Sequence, residues 1–151
     1  MTVRSTVLIL AGAVLFLIGL LQGAFVQSFL NPRMALSAHL TAVQSGTTLM
    51  ILGVVWPGVT LAAWLDAAAR WTIVLGFYGL WVGLTLSAAT GAGVALPIAG
   101  AGYSAEAGVE SVVSTFVLGS SGIMTLGWLL FVAGLLRSMR NRSPNEHNSR
   151  R

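Results

Sequence analysis

The chain has 151 residues, 56% of them hydrophobic and only 8% charged, where an ordinary soluble domain carries about 25% charge; this composition excludes a soluble globular fold and marks a membrane protein. Eight arginines stand against four acidic residues, and five of the eight fall between Arg137 and Arg151, so the basic charge is a terminal cluster rather than a surface for a phosphate backbone, and no nucleic-acid partner is expected. The lack of cysteine excludes disulfides, thiolate catalysis, thiolate-bound zinc and iron–sulfur clusters.

The expected fold is all-α: four transmembrane helices in an antiparallel bundle, at about 6–29, 32–55, 67–90 and 108–136, in one domain over residues 1–142. A polar tail over 143–151 is expected to be disordered. Helix 1 carries Gly12, Gly19 and Gly23 near one stripe, a spacing that lets another helix approach closely. Gln22 and Gln27 near its end need hydrogen-bond partners in lipid. The run is longer than a signal-peptide core and is expected to remain in the mature protein.

Helix 2 opens at Asn31, a good N-cap, followed by Pro32 at the first helical position. It runs to Val55, before the breaker Trp56-Pro57-Gly58. With almost no loop between them, helices 1 and 2 must lie side by side. The segment 59–66 reads as interfacial, with Trp64 as an aromatic anchor. Asp66 and Arg70, four apart, read as a surface pair worth about 0.3–0.5 kcal/mol. Helix 3 is rich in glycine at 76, 79 and 83, as close helix contact requires, and helix 4 carries Gly119 and Gly122 at its middle; the glycine faces of helices 1, 3 and 4 suggest contacts beyond the chain's own bundle, so a homo-oligomer is expected. Arg4, Arg70, Arg137, Arg140 and Arg142 fall at one side of the membrane and Arg33 alone at the other, so both termini are expected in the cytoplasm of a bacterial-type inner membrane.

Most of the candidate chemistry lies on helix 2. His39 stands six residues beyond Arg33, about 9 Å along the axis at about 1.5 Å per residue, and so inside the hydrocarbon. An ionisable group at that depth faces a protein partner. Four roles are open to it: a structural hydrogen bond between helices, a proton relay, a zinc ligand and an axial ligand to haem. A relay lacks an intramembrane carboxylate, and zinc asks for about four ligands. Haem asks for one imidazole and a large apolar slot.

Asn31-Pro32-Arg33 with Ala38-His39 and Gly46 on helix 2, Tyr78-Gly79 on helix 3 and Leu96-Pro97-Ile98-Ala99-Gly100 in the following loop together resemble hydroxylaminobenzene mutase. More distantly, the layout is similar to styrene oxide isomerase. The resemblance spans the chain from helix 1 to Arg137 and implies a membrane isomerase that rearranges a small apolar aromatic hydroxylamine or epoxide. It further implies haem b with His39 as the iron ligand, and a homotrimer. Arg33 is then a candidate partner for a haem propionate, and Ser45, Gln44 and Tyr78 are candidates for orienting the substrate. Two departures stand out: Ser45 occupies a family asparagine position, and Leu80, Val82 and Gly83 stand where the family has polar residues on helix 3. They keep two other classes in view, a haem-binding or small-molecule-binding membrane protein without turnover and a structural or transport subunit. A glutathione-dependent enzyme ranks last, with Arg70 its only good cation.

Overall fold

The computed structural model describes residues 2–142; the tail over 143–151, His147 included, lies outside the described residues. Four α-helices follow one another, α1 (Val3–Gly23), α2 (Pro32–Val55), α3 (Ala63–Thr90) and α4 (Ala107–Arg142), with short 3-10 turns at Val26–Ser28 and Trp56–Gly58 and no strand among the described residues. All four are long and apolar enough to cross a membrane. Even α1, with 21 residues, rises about 32 Å against a hydrocarbon core of about 30 Å.

Local chemistry sets the helix ends. The first helix stops at Gly23, short of the expected 29, because the N–H groups of Ala24 and Phe25 turn to the carbonyls of Leu21 and Gln22 and tighten the chain into a 3-10 turn. Asn31 is fully buried and caps α2: its side-chain oxygen accepts the Met34 N–H at 3.1 Å, and Pro32 sits in the first turn, where its missing N–H leaves nothing unpaired. Asn31 also donates its backbone N–H to the Ala88 carbonyl at 3.0 Å and its carboxamide to that of Ala99 at 2.9 Å. One residue thus joins α2 to the end of α3 and to the loop beyond.

The third helix begins at Ala63, earlier than the expected 67, and closes at Gly91, whose φ of 80° is a left-handed cap that a side chain would strain. In the loop over 91–106, the Glu110 carboxylate accepts the N–H groups of Gly93, Val94 and Ala105 at 3.0–3.2 Å. The fourth helix continues past the expected 136 to Arg142, since arginine is a good helix former once the chain has left the apolar run.

Glycines decide how the helices pair. α1 lies along α2 and α3 along α4, while α2 meets α3 over a shorter stretch. A Cβ on Gly12 would lie 2.5 Å from the Gly46 carbonyl oxygen, and one on Gly46 would lie 2.6 Å from the Phe16 nitrogen, so α1 and α2 touch backbone to backbone. Gly23 faces His39, Gly19 faces Ala42 and Gly53 faces Ile9; on the other pair Gly83 faces Val117, Gly76 faces Met124 and Gly127 faces Ile73. The core fills the spaces between with Leu15, Leu49, Ile73 and Phe77, and at one end with Trp56 against Phe131 at 5.4 Å between ring centres. On the outer side of α4, Gly119 and Gly122 meet no neighbour.

Asp66 and Arg70 are not the exposed pair their spacing suggests. The Asp66 side chain is 5% exposed; it accepts the Trp56 indole N–H at 2.8 Å and the Arg70 Nε at 3.2 Å, and it pairs with the Arg4 guanidinium at 3.1 Å. The physical reason for the correction is that α3 starts a turn earlier and folds its first carboxylate inward, where α1 and the end of α2 bring it an arginine and an indole. This node ties three helices together at the end of the bundle farthest from Asn31.

Candidate functional site

His39 sits on α2 where the last turn of α1 crosses it. Its Nδ1 lies 2.7 Å from the Gly19 carbonyl oxygen. A carbonyl only accepts, so Nδ1 carries the proton, and in the neutral ring Nε2 keeps a free lone pair. A Cβ on Gly23 would come within 2.8 Å of both Nδ1 and Cε1 of the ring, so the imidazole occupies the space a side chain would take. The ring is half-buried, and its neighbours Leu36 and Leu40 are exposed on the outer side of the helix.

Beside this contact lies a polar cluster. Gln22, in the same turn of α1, accepts the Trp81 indole N–H at 2.8 Å and donates to the Thr85 hydroxyl at 3.1 Å, and Thr85 in turn donates to the Trp81 carbonyl at 2.8 Å. The need of Gln22 for a partner is readable from its depth in an apolar run; that Trp81 and Thr85 supply it is not, because they arrive from a helix some sixty residues on.

The other candidate residues spread along α2 and α3. Ser45 is buried, six residues from His39, or about 9 Å along the axis. The Tyr78 hydroxyl donates to the Ala11 carbonyl at 2.9 Å. Since Gly12 faces Gly46, Ala11 puts the Tyr78 hydroxyl at the level of Ser45 rather than of His39. Gln44 is exposed on the outer side of α2. Arg33 is exposed too, and its guanidinium donates to the Ala101 carbonyl in the loop over 91–106. The structure therefore brings Ser45 and Tyr78 to one depth and His39 to another, with Gln44 and Arg33 on the outside.

No three of His, Cys, Asp or Glu come together among the described residues. The donor available inside the membrane is one imidazole, held by a carbonyl on one nitrogen and free on the other. Such a donor meets the first of the two requirements of haem, a single Nε2 whose ring is oriented through Nδ1.

Four helices long and apolar enough to cross a membrane, with an oriented imidazole among them, define an integral membrane protein. Residues 4–136 match the family model of styrene oxide isomerase, and the chain belongs to that family. It is 34% identical over 133 residues to the hydroxylaminobenzene mutase HabB of Ectopseudomonas oleovorans, covering 87% of this chain and 81% of that protein. It is 42% identical over 57 residues to HabA of the same organism, also a hydroxylaminobenzene mutase, covering 38% of this chain and 42% of HabA. No solved structure matches. With these relatives, the chain is an enzyme of the isomerase and mutase class.

Proposed function

We propose that the protein rearranges a small aromatic hydroxylamine or aryl epoxide within the membrane, with haem b held by His39. The observation that carries this reading is the His39 ring, whose Nδ1 is bonded to the Gly19 carbonyl and whose Nε2 is left free. When bound, ferric haem supplies a Lewis acid for the substrate oxygen. The residues of the chain do the rest. Gly19 and Gly23 hold the imidazole in one tautomer and one orientation. Ser45, about 9 Å farther along α2, and Tyr78, reaching the same depth from α3, offer hydroxyls that orient a substrate from its other end. The apolar layer that the helices are long and apolar enough to cross would keep water away, so that a cationic fragment rearranges instead of being hydrolysed. The reaction adds and removes no atoms and needs no second substrate. Gln44 completes the candidate set from the outer side of α2, and Arg33 is the cation closest in sequence to His39, available to a propionate from the loop end.

In the same reading the helices cross the inner membrane as an antiparallel bundle with both termini in the cytoplasm. The reversed order of contacts between α1 and α2 supports this, as does the gathering of arginines at the end opposite Arg33. A homo-oligomer is the proposed assembly, supported by the outer faces of α2 and α4, which carry Gln44 and two unpartnered glycines; its number, three, is taken from the family resemblance.

The test is a visible spectrum of the detergent-purified protein in oxidised and dithionite-reduced states, wild type beside His39→Ala, followed by assays with hydroxylaminobenzene and styrene oxide. The expected result is a Soret band in the wild type that is lost or shifted in His39→Ala, together with turnover of one of the two substrates. A wild type without a Soret band after reconstitution with hemin overturns the haem reading. A Soret band without turnover of either compound overturns the proposed reaction and favours binding alone.

A further inference from the structure

Between Leu15 and Gly23, Gln22 is the only polar side chain on α1. In that stretch α1 puts no side chain of its own between the helices at Gly19 and Gly23; Ala42, Val43 and the His39 ring of α2 sit in those notches, so from the α1 side its rotation about its axis is held by Gln22. Such a rotation would carry the Gly19 carbonyl away from His39. Gln22 lies three residues from Gly19, about 60° around the helix from it, and points toward α3 instead. There both ends of its carboxamide are engaged: the oxygen by the Trp81 indole at 2.8 Å and the nitrogen by the Thr85 hydroxyl at 3.1 Å. The Thr85 hydroxyl is itself oriented by its bond to the Trp81 carbonyl.

We propose that Gln22 is a positioning residue for His39: clamped by Trp81 and Thr85, it fixes the rotation of α1 at which the Gly19 carbonyl accepts the Nδ1–H hydrogen bond and so leaves Nε2 bare. The proposal rests on the reading of His39 as the working imidazole, but not on the presence of haem. In an apolar layer without water to take up a stray N–H, the carbonyl position decides which ring nitrogen is protonated. Gln22 acts through Gly19 and need not touch the ligand or the substrate.

The chain has two histidines, so a His147→Gln background leaves one, and 15N-histidine NMR of the haem-free protein in micelles reads its tautomer directly. The expected wild-type pattern has a pyrrole-type signal for Nδ1 and a pyridine-type signal for Nε2. In Gln22→Leu, which keeps volume and removes both hydrogen bonds, the two signals are expected to merge or exchange places. Trp81→Phe, which keeps a ring and removes the indole donor, is expected to do the same, and it carries the test if Gln22→Leu does not fold. If a folded variant has a lower thermal midpoint but the wild-type 15N pattern, Gln22 only joins α1 to α3 and the proposal is overturned. A wild type lacking a Soret band would overturn the haem reading while leaving the tautomer comparison intact, so the two failures are distinguishable.

Discussion

Asp66→Ala should be among the most destabilising single changes in this protein. The carboxylate accepts the Trp56 indole N–H at 2.8 Å, and a hydrogen bond to a charged group is worth about 1.5–3 kcal/mol. Arg70, only 15% exposed, would be left without its counter-ion, and removing one member of a buried pair costs about 3–5 kcal/mol. Arg4 is 55% exposed, so its share is that of a surface pair, about 0–1 kcal/mol. One carboxylate serves all three partners and the contributions overlap, so the expected total is about 4 kcal/mol rather than their sum. Asp66→Asn keeps an acceptor for Trp56 and should recover about 1–2 kcal/mol of that loss, whereas Arg4→Ala should cost less than about 1 kcal/mol. Equilibrium unfolding in mixed micelles, followed by the helical circular dichroism signal, measures all three variants. The reasoning is refuted if Asp66→Ala stays within about 1 kcal/mol of wild type, or if Arg4→Ala costs as much as Asp66→Ala.

Two further outcomes follow from the packing. Gly46→Ala places a methyl 2.6 Å from the Phe16 nitrogen and should cost at least about 1–3 kcal/mol, while Gly119→Ala and Gly122→Ala, with nothing near them, should leave the monomer's unfolding midpoint unchanged or raised; equal effects at these sites would contradict the glycine contacts described. Asn31→Ala removes the N-cap and strands the Ala99 carbonyl, for an expected loss of about 2–4 kcal/mol, and it should open the loop over 91–106 to protease; an uncut loop with an unchanged midpoint would refute the role given to Asn31.

What could be read from the sequence was mostly what the next few residues determine. The start of α2 is written in Asn31 and Pro32, since capping is local chemistry, and the glycine contacts of α1 are foreshadowed by the spacing of Gly12, Gly19 and Gly23. The end of α1 was hidden because Ala24, Phe25 and Val26 continue the apolar run while the backbone has already turned; hydropathy is blind to a change from i−4 to i−3 bonding. Asp66 was misjudged for a different reason. Its i+4 partner is visible in the sequence, but Arg4 and Trp56 reach it from two other helices, and only the tertiary arrangement makes it buried. His39 could be singled out as an ionisable group at membrane depth, yet its tautomer depends on the Gly19 carbonyl twenty residues earlier. Tyr78 was grouped with Ser45 and Gln44 by resemblance; its hydrogen bond to Ala11 puts it at the depth of Ser45, a placement that needs α1 and α3 together and is not written in the sequence around Tyr78.

The half-buried ring of His39 lies beside Leu36 and Leu40, which are exposed on the outer side of α2. A molecule arriving by that flank has already left water, so the concentration that governs its encounter with the imidazole is its concentration in the hydrocarbon, set by its partition coefficient. Two substrates of equal intrinsic reactivity would then differ in apparent KM in proportion to their oil solubility, and adding detergent at fixed total substrate would raise apparent KM by dilution into micelles alone. Selection among substrates would in this way begin in the solvent that surrounds the protein, before any side chain is reached.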